Sequence, residues 1–155
     1  MSVSEPVTLH FEPLSVQDID EIMGIEVEAY PEPWTEGMFR EEARSYRSHF
    51  YVMKRGEHMI GYGGFWMVLD EAHVTSVTVR KESRGQGYGR RLMVFLLEAA
   101  IDAGARMATL EVRVSNTRAR ELYVSMGFRP VGLRKNYYPK TGEDSIVMLK
   151  DLVEP

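Results

Sequence analysis

Val74-Thr75-Ser76-Val77-Thr78-Val79, then Arg84-Gly85-Gln86-Gly87-Tyr88-Gly89, then Arg91-Leu92-Met93-Val94-Phe95-Leu96-Leu97-Glu98-Ala99-Ala100-Ile101: this stretch decides the fold. The first segment is mostly β-branched and reads as a strand, and the third reads as a buried helix. A glycine-rich turn that opens a helix leaves backbone N–H groups unpaired at the helix entrance. The helix dipole adds positive potential there, so an anion such as a phosphate is favoured. The glycines let the backbone approach that anion, and Arg84 and Arg90 can add charge-assisted bonds. A pyrophosphate cradle is therefore expected, against the plainer reading of a glycine turn before a solvated basic helix start. A dinucleotide site competes, because Glu111 stands about 20 residues downstream, where a ribose-binding acid is expected. The spacing G-x-G-x-G lacks the pair of residues before the last glycine, and Glu111 falls inside a strand instead of at its end. No Gly-Lys-Ser/Thr follows, which excludes a nucleoside triphosphate loop.

Working outward, a first strand is expected over about 7–11. Ser15 with Asp18 three residues later is a capping signal, and Ile19, Ile22, Met23, Ile25, Glu26 and Ala29 follow at helical spacing. Tyr30-Pro31-Glu32-Pro33-Trp34 breaks that helix, and Thr35 caps a second one reaching about Ser45. Strands over about 49–54, 59–69 and 72–80 are joined by Arg55-Gly56-Glu57-His58 and Asp70-Glu71, both plausible hairpin turns. Gly104 closes the long helix, 107–114 is a strand, 116–126 a helix stopped by Gly127, and strands near 128–134 and 144–150 finish the chain. The order βααβββαβαββ predicts an α/β protein. Its mixed, mostly antiparallel sheet has one parallel splayed junction and is flanked by helices, in a single domain over 1–155.

Bulk composition narrows the function. The 155 residues are 44% hydrophobic and 27% charged, with a net charge of −4, an ordinary globular balance without a nucleic-acid footprint. There is no cysteine, which fits a reducing compartment and removes any cysteine nucleophile or thiolate metal site. His10, His49, His58 and His73 show no metal-ligand spacing, so no metal is expected. No apolar run approaches membrane-spanning length and the N-terminus does not read as a signal sequence. A cytoplasmic protein without nucleic-acid or membrane partners, monomeric or weakly dimeric, is expected.

Chemistry concentrates in Leu110-Glu111-Val112-Arg113-Val114-Ser115-Asn116 and Glu121-Leu122-Tyr123. Alternation puts Ala108, Leu110, Val112 and Val114 on one face of a strand and Glu111 on the other, beside Thr109 and Arg113. Taken singly, Glu111 reads as a solvated strand charge, Tyr123 as a core tyrosine on a stripe with Ala119, Leu122 and Met126, and Asn116 as a helix cap.

Together these residues carry a resemblance. Arg84-x-x-Gly87-x-Gly89 after Val77-Thr78-Val79, then Leu110-Glu111-Val112-Arg113 with Ser115-Asn116, Leu122-Tyr123 and Met126-Gly127-Phe128, fall in order along the chain. So do Tyr30-Pro31-x-Pro33-Trp34-Thr35 and Arg134-Lys135-Asn136-Tyr137-Tyr138-Pro139. Over residues 8–150 the chain resembles the GNAT N-acetyltransferase superfamily and, within it, the ribosomal-protein-alanine N-acetyltransferases of RimI type. The resemblance implies acetyl-CoA as cosubstrate. Arg84, Gly85, Gln86, Gly87, Tyr88, Gly89 and Arg90 would hold its pyrophosphate. Val77, Thr78 and Val79 would pair with the pantetheine arm through their backbone, and Asn116 would hydrogen-bond it. It also implies Glu111 as general base through a water and Tyr123, which also lines the cofactor, as the acid that protonates the leaving thiolate. Trp34, Tyr137 and Tyr138 would form two walls of a peptide slot. Thr75-Ser76 stands where the family commonly has an asparagine-containing, more apolar pair.

A base works best near the ambient pH, so Glu111 is expected to be partly desolvated with its pKa raised. An α-amine with pKa ~7.7–8.0 is already roughly a tenth to a sixth neutral at pH 7, whereas a lysine is neutral about once in 2,500. The implied activity is transfer of acetyl to the N-terminal amine, alanine first, of a ribosomal protein, directly within a ternary complex. Acetylation of lysines or small amines is the alternative within enzymes, and a non-catalytic CoA-binding sensor the alternative outside them. Glu26, Glu28, Glu32 and Glu36 make one wall acidic, which suits a basic protein tail or is simply a solvated face.

Overall fold

A computed structural model describes residues 8–153. The chain runs β1 (Leu9–Pro13), α1 (Ile19–Ala29), α2 (Glu36–Arg44), β2 (Ser48–Arg55), β3 (His58–Val68), β4 (Glu71–Val79), α3 (Tyr88–Asp102), β5 (Met107–Arg113), α4 (Thr117–Ser125), β6 (Arg129–Tyr138) and β7 (Glu143–Asp151). The predicted order holds element for element. The first strand lies two residues later than expected, and Val7 falls outside the described residues. Ser15 and Asp18 form the anticipated capping box, around a single 3₁₀ turn that leads into α1. Thr35 caps α2 through Met38 N–H at 3.2 Å, and Gly104 and Gly127 take left-handed conformations behind their helices.

The seven strands form one sheet in the order β1-β2-β3-β4-β5-β7-β6. Every neighbouring pair is antiparallel except β4 and β5. That parallel pair is short. It holds only over Glu71↔Met107, Ala72↔Ala108 and His73↔Thr109, and beyond His73 the two strands part. On its other edge β4 stays paired to β3 as far as Val79, with a bulge at Thr75 whose hydroxyl donates to the Gly64 carbonyl at 3.3 Å. Val74 to Val79 therefore have no strand partner across a wedge-shaped gap in the sheet, where Tyr30 OH donates to the Val77 carbonyl at 3.4 Å.

Two cores lie on opposite faces. Ile19, Ile22 and Ile25 of α1 and Phe39 of α2 pack with Phe50, Val52 and Tyr62 on one face. Leu92, Met93 and Leu96 of α3, with Tyr123 of α4, pack with Met53, Leu110 and Val112 on the other. The three α3 residues are fully buried, each contributing about 1.5–3 kcal/mol by leaving water. Gly63 admits that helix: a Cβ there would lie 2.7 Å from the Ser76 carbonyl and 3.0 Å from Leu96 Cδ1. The splayed junction thus connects the two faces of the sheet through its middle.

Candidate active site

The loop between β4 and α3 gives the donor side its shape. Gly85 and Gly87 adopt left-handed conformations with φ of 79° and 85°, where a side chain costs about 1–2 kcal/mol. Gly87 is the residue before α3, and no side chain caps the helix. The first-turn amides of Tyr88, Gly89 and Arg90 consequently face outward with positive potential behind them. A groove follows, lined by Val77, Thr78, Val79, Arg84, Gly85, Gly87, Tyr88, Gly89, Arg90, Asn116 and Tyr123. Gln86 is exposed and does not line it. Arg84 is steadied by Nε donating to the Val79 carbonyl at 3.1 Å, and Arg90 by Nη2 donating to Ser125 Oγ at 2.6 Å. Asn116 does cap α4, accepting from Ala119 N–H at 3.2 Å, and lines the groove as well. Arg118 enters the same groove, and sequence reasoning had not singled it out. Its signal was available, since it sits on the first turn of the helix that Asn116 caps.

The groove opens into a cavity of about 210 Å³ within the splay. Glu111, Tyr123, Asn116, Tyr138 and Trp34 all line it. Beyond it, on the α1–α2 face, a second cleft is lined by Trp34, Glu111, Arg134, Tyr137 and Tyr138. Tyr123 borders the groove and the cavity; Glu111 borders the cavity and the second cleft. The two side chains come from opposite faces of the sheet and line the same cavity.

Their environments differ. Tyr123 is buried, edge-on to Phe128, and burial pushes its phenol well above the ordinary range. Glu111 is partly buried, as expected, with its side chain 24% exposed. The Arg134 Nε lies 3.1 Å from Glu111 Oε1 and sets a positive charge beside the carboxylate. Tyr137 also donates to Glu111, and this bond, more than burial, pushes the Tyr137 phenol up to about 12. Neither partner of Glu111 was foreseen from sequence.

Side-chain bonds distant in sequence hold the second cleft. Arg113 Nη2 reaches Glu32 Oε2 at 3.0 Å and Arg113 Nη1 reaches Glu143 Oε2 at 3.3 Å, while its guanidinium lies 3.6 Å from the centre of the Tyr138 ring. The Lys140 amide donates to Glu32, tying the Pro-Trp loop to the turn after β6. Glu143 accepts first from the Ser115 hydroxyl and then from the Ser115 N–H at 2.8 Å, and these bonds hold its carboxyl below the ordinary range. Sequence reasoning named these two walls but missed Glu32 and Arg113 as the bond between them.

The model of the Acetyltransferase (GNAT) family matches residues 19–128. A relative from Bacillus subtilis is 38% identical over 136 residues, covering 87% of this chain and 90% of its own. The [ribosomal protein bS18]-alanine N-acetyltransferase of Escherichia coli K12 is 34% identical over 137 residues, 87% of this chain and 92% of its own. The crystal structure of the Escherichia coli ribosomal-protein-S18-alanine N-acetyltransferase superposes with a TM-score of 0.87 at 31% identity, covering 96% of each chain. Among the described residues, no helix is long and apolar enough to cross a membrane and no group of three or more acidic or histidine side chains could hold a metal ion.

Proposed function

This chain belongs to the Acetyltransferase (GNAT) family, and from that premise we propose that it moves acetyl from acetyl-CoA to the N-terminal amine, alanine first, of a ribosomal protein. The name of the Escherichia coli relative supports this substrate class. One observation carries the mechanism: Glu111 and Tyr123 share a cavity, one bordering the peptide-sized cleft and the other the anion-binding groove.

The groove suits the donor. Uncapped amides and Arg84, Arg90 and Arg118 can hold a pyrophosphate, and the unpaired β4 edge from Val77 to Val79 can take an amide-bearing arm as an added strand. Acetyl-CoA, when bound, supplies the activated acetyl thioester. Glu111 takes a proton from the acceptor amine through a water; a water's share of liquid volume is about 30 Å³, well within the cavity. An amide of the β4 edge donates to the oxygen that gains charge in the transition state. Tyr123, whose phenol stays protonated through the neutral and mildly alkaline range, gives its proton to the departing sulfur. The chain holds no cysteine for an acetyl-enzyme intermediate, which favours direct transfer with both substrates bound. Trp34, Tyr137 and Tyr138 line the path of the acceptor peptide. We take residues 1–155 as one catalytic domain acting in the cytoplasm as a monomer or weak dimer, without metal, nucleic acid or membrane.

The test is acetyl transfer to a short peptide beginning Ala-Arg, beside an acetyl-capped copy that carries an internal lysine. Turnover of the free peptide alone is expected, with Tyr123→Phe losing about 100-fold or more in kcat. Equal turnover of the capped copy would move the acceptor to lysine. Binding of acetyl-CoA without turnover of either would leave a sensor.

A further inference from the structure

Three carboxylates line the central cavity: Glu26, Glu32 and Glu111. Glu32 pairs with Arg113 at 3.0 Å, a cation it shares with Glu143, and Glu111 pairs with Arg134 at 3.1 Å. Glu26 is the most buried of the three, 3% exposed, and among the described residues no lysine or arginine pairs with it. Its two bonds come from neutral donors: Tyr62 OH to Oε1 at 2.7 Å and Trp34 N–H to Oε2 at 3.0 Å. An ionised carboxylate offers about four lone-pair sites, so two sites remain. Burying a charge without a counter-charge is costly, and such a group is stabilised by any cation that reaches it.

We infer that Glu26 receives the α-ammonium of the acceptor, supplying the counter-charge that distinguishes a free N-terminus from a blocked one. The inference rests on the N-terminal acetyltransferase reading and deepens it. Helix α1 and strand β3 hold the carboxylate in place, because Tyr62 stands behind it and the Trp34 amide beside it. The same bond to Trp34 sets the position of the cleft wall, so recognition of the amine and placement of the peptide share one residue. Burial raises the pKa of Glu26 against the lowering effect of the bonds from the Trp34 amide and Tyr62, and a cation docking beside the carboxylate would favour its ionised form. Other charged or titratable groups facing the cavity are Tyr30, Tyr123 and Tyr138, together with the paired Glu32, Arg113 and Glu111. Glu111 keeps its separate task of taking the proton from the docked amine.

The experiment compares binding of two peptides to the acetyl-CoA-free protein: Ala-Arg-Tyr-Phe with a free amine, and the same peptide with the amine replaced by hydrogen. Wild type is expected to prefer the ammonium form, and Glu26→Gln to lose about 10- to 100-fold of that preference while binding the desamino peptide unchanged. Glu26→Asp restores part of it. Glu111→Gln lowers turnover about 10²- to 10⁴-fold but keeps the preference, because Arg134 has already matched that charge. In steady state Glu26→Gln raises the KM of the free-amine peptide, and the unchanged binding of the desamino peptide separates this from a displaced Trp34 wall, which would weaken both peptides alike. Retention of the preference in Glu26→Gln, or its loss in Glu111→Gln, overturns the inference; the second arm decides the matter even if Glu26→Gln fails to fold. Absence of turnover on the free peptide by wild type would instead defeat the N-terminal reading itself.

Discussion

The two halves of the cleft are built by different means. The donor groove is largely backbone: left-handed glycines, uncapped helix amides and an unpaired strand edge, drawn mostly from residues 77–90. The acceptor cleft depends on side chains from distant segments, with Glu32 bonded to Arg113 across 81 residues and to the Lys140 amide across 108. A backbone site is generic to any ligand carrying the same phosphates and amides. A side-chain site can change its preference with one substitution while the fold stays put. On the proposed reading this is how one scaffold holds a constant donor and selects among acceptors.

The sharpest break between the halves is expected at their meeting point. Glu111→Gln should lower kcat about 10²- to 10⁴-fold while acetyl-CoA affinity, followed by calorimetry, stays within error. A parallel loss of donor affinity would mean that the two halves are not separable at Glu111. Next in size, Gly87→Ala places a side chain at φ 85° and should destabilise the fold by about 1–2 kcal/mol. It should also raise the acetyl-CoA KM roughly tenfold, consistent with loss of several amide contacts. Its peptide KM should not move, and a change there would contradict a donor groove built from local backbone.

Arg113→Ala is the converse, releasing Glu32 and Glu143 and removing the cation above Tyr138. The peptide KM is expected to rise about three- to tenfold, less than at Gly87 because the pairs are partly solvated. Donor binding should be unaffected. The smallest effect is a titration. The Tyr137 phenol sits at about 12, chiefly through its bond to Glu111. Its proton is held more tightly in the folded state than in an unfolded chain, where the pKa is ~10. The resulting stabilisation is therefore complete below ~10 and disappears as pH rises through the folded value. Ultraviolet difference spectra should show this phenol ionising late in wild type and earlier in Glu111→Gln.

The same contrast governs what could be read in advance. The β4–loop–α3 unit is local: β-branched residues, glycines at fixed offsets and an apolar helix stripe act within about 30 residues, so the groove followed from the letters. The alternation of β5 also placed Glu111 on the face opposite Leu110 and Val112, as the burial pattern bears out. Arg134 as a partner for Glu111 was not legible, because β6 reaches β5 only through β7, which lies between them in the sheet. The isolation of Glu26 was hidden for the same reason. Its place on an apolar helical stripe was visible, but Tyr62 meets it only once α1 packs across β3.

Sequence by itself determined the order of elements, the caps and stops of the helices, the glycine loop and the faces of β5, since each depends on neighbours a few residues away. Tertiary structure alone decided how far β4 and β5 stay paired, which carboxylates receive a cation and which is left without one. Those outcomes depend on side chains brought together from distant parts of the chain, where charge and desolvation act over ångströms and sequence distance has no bearing.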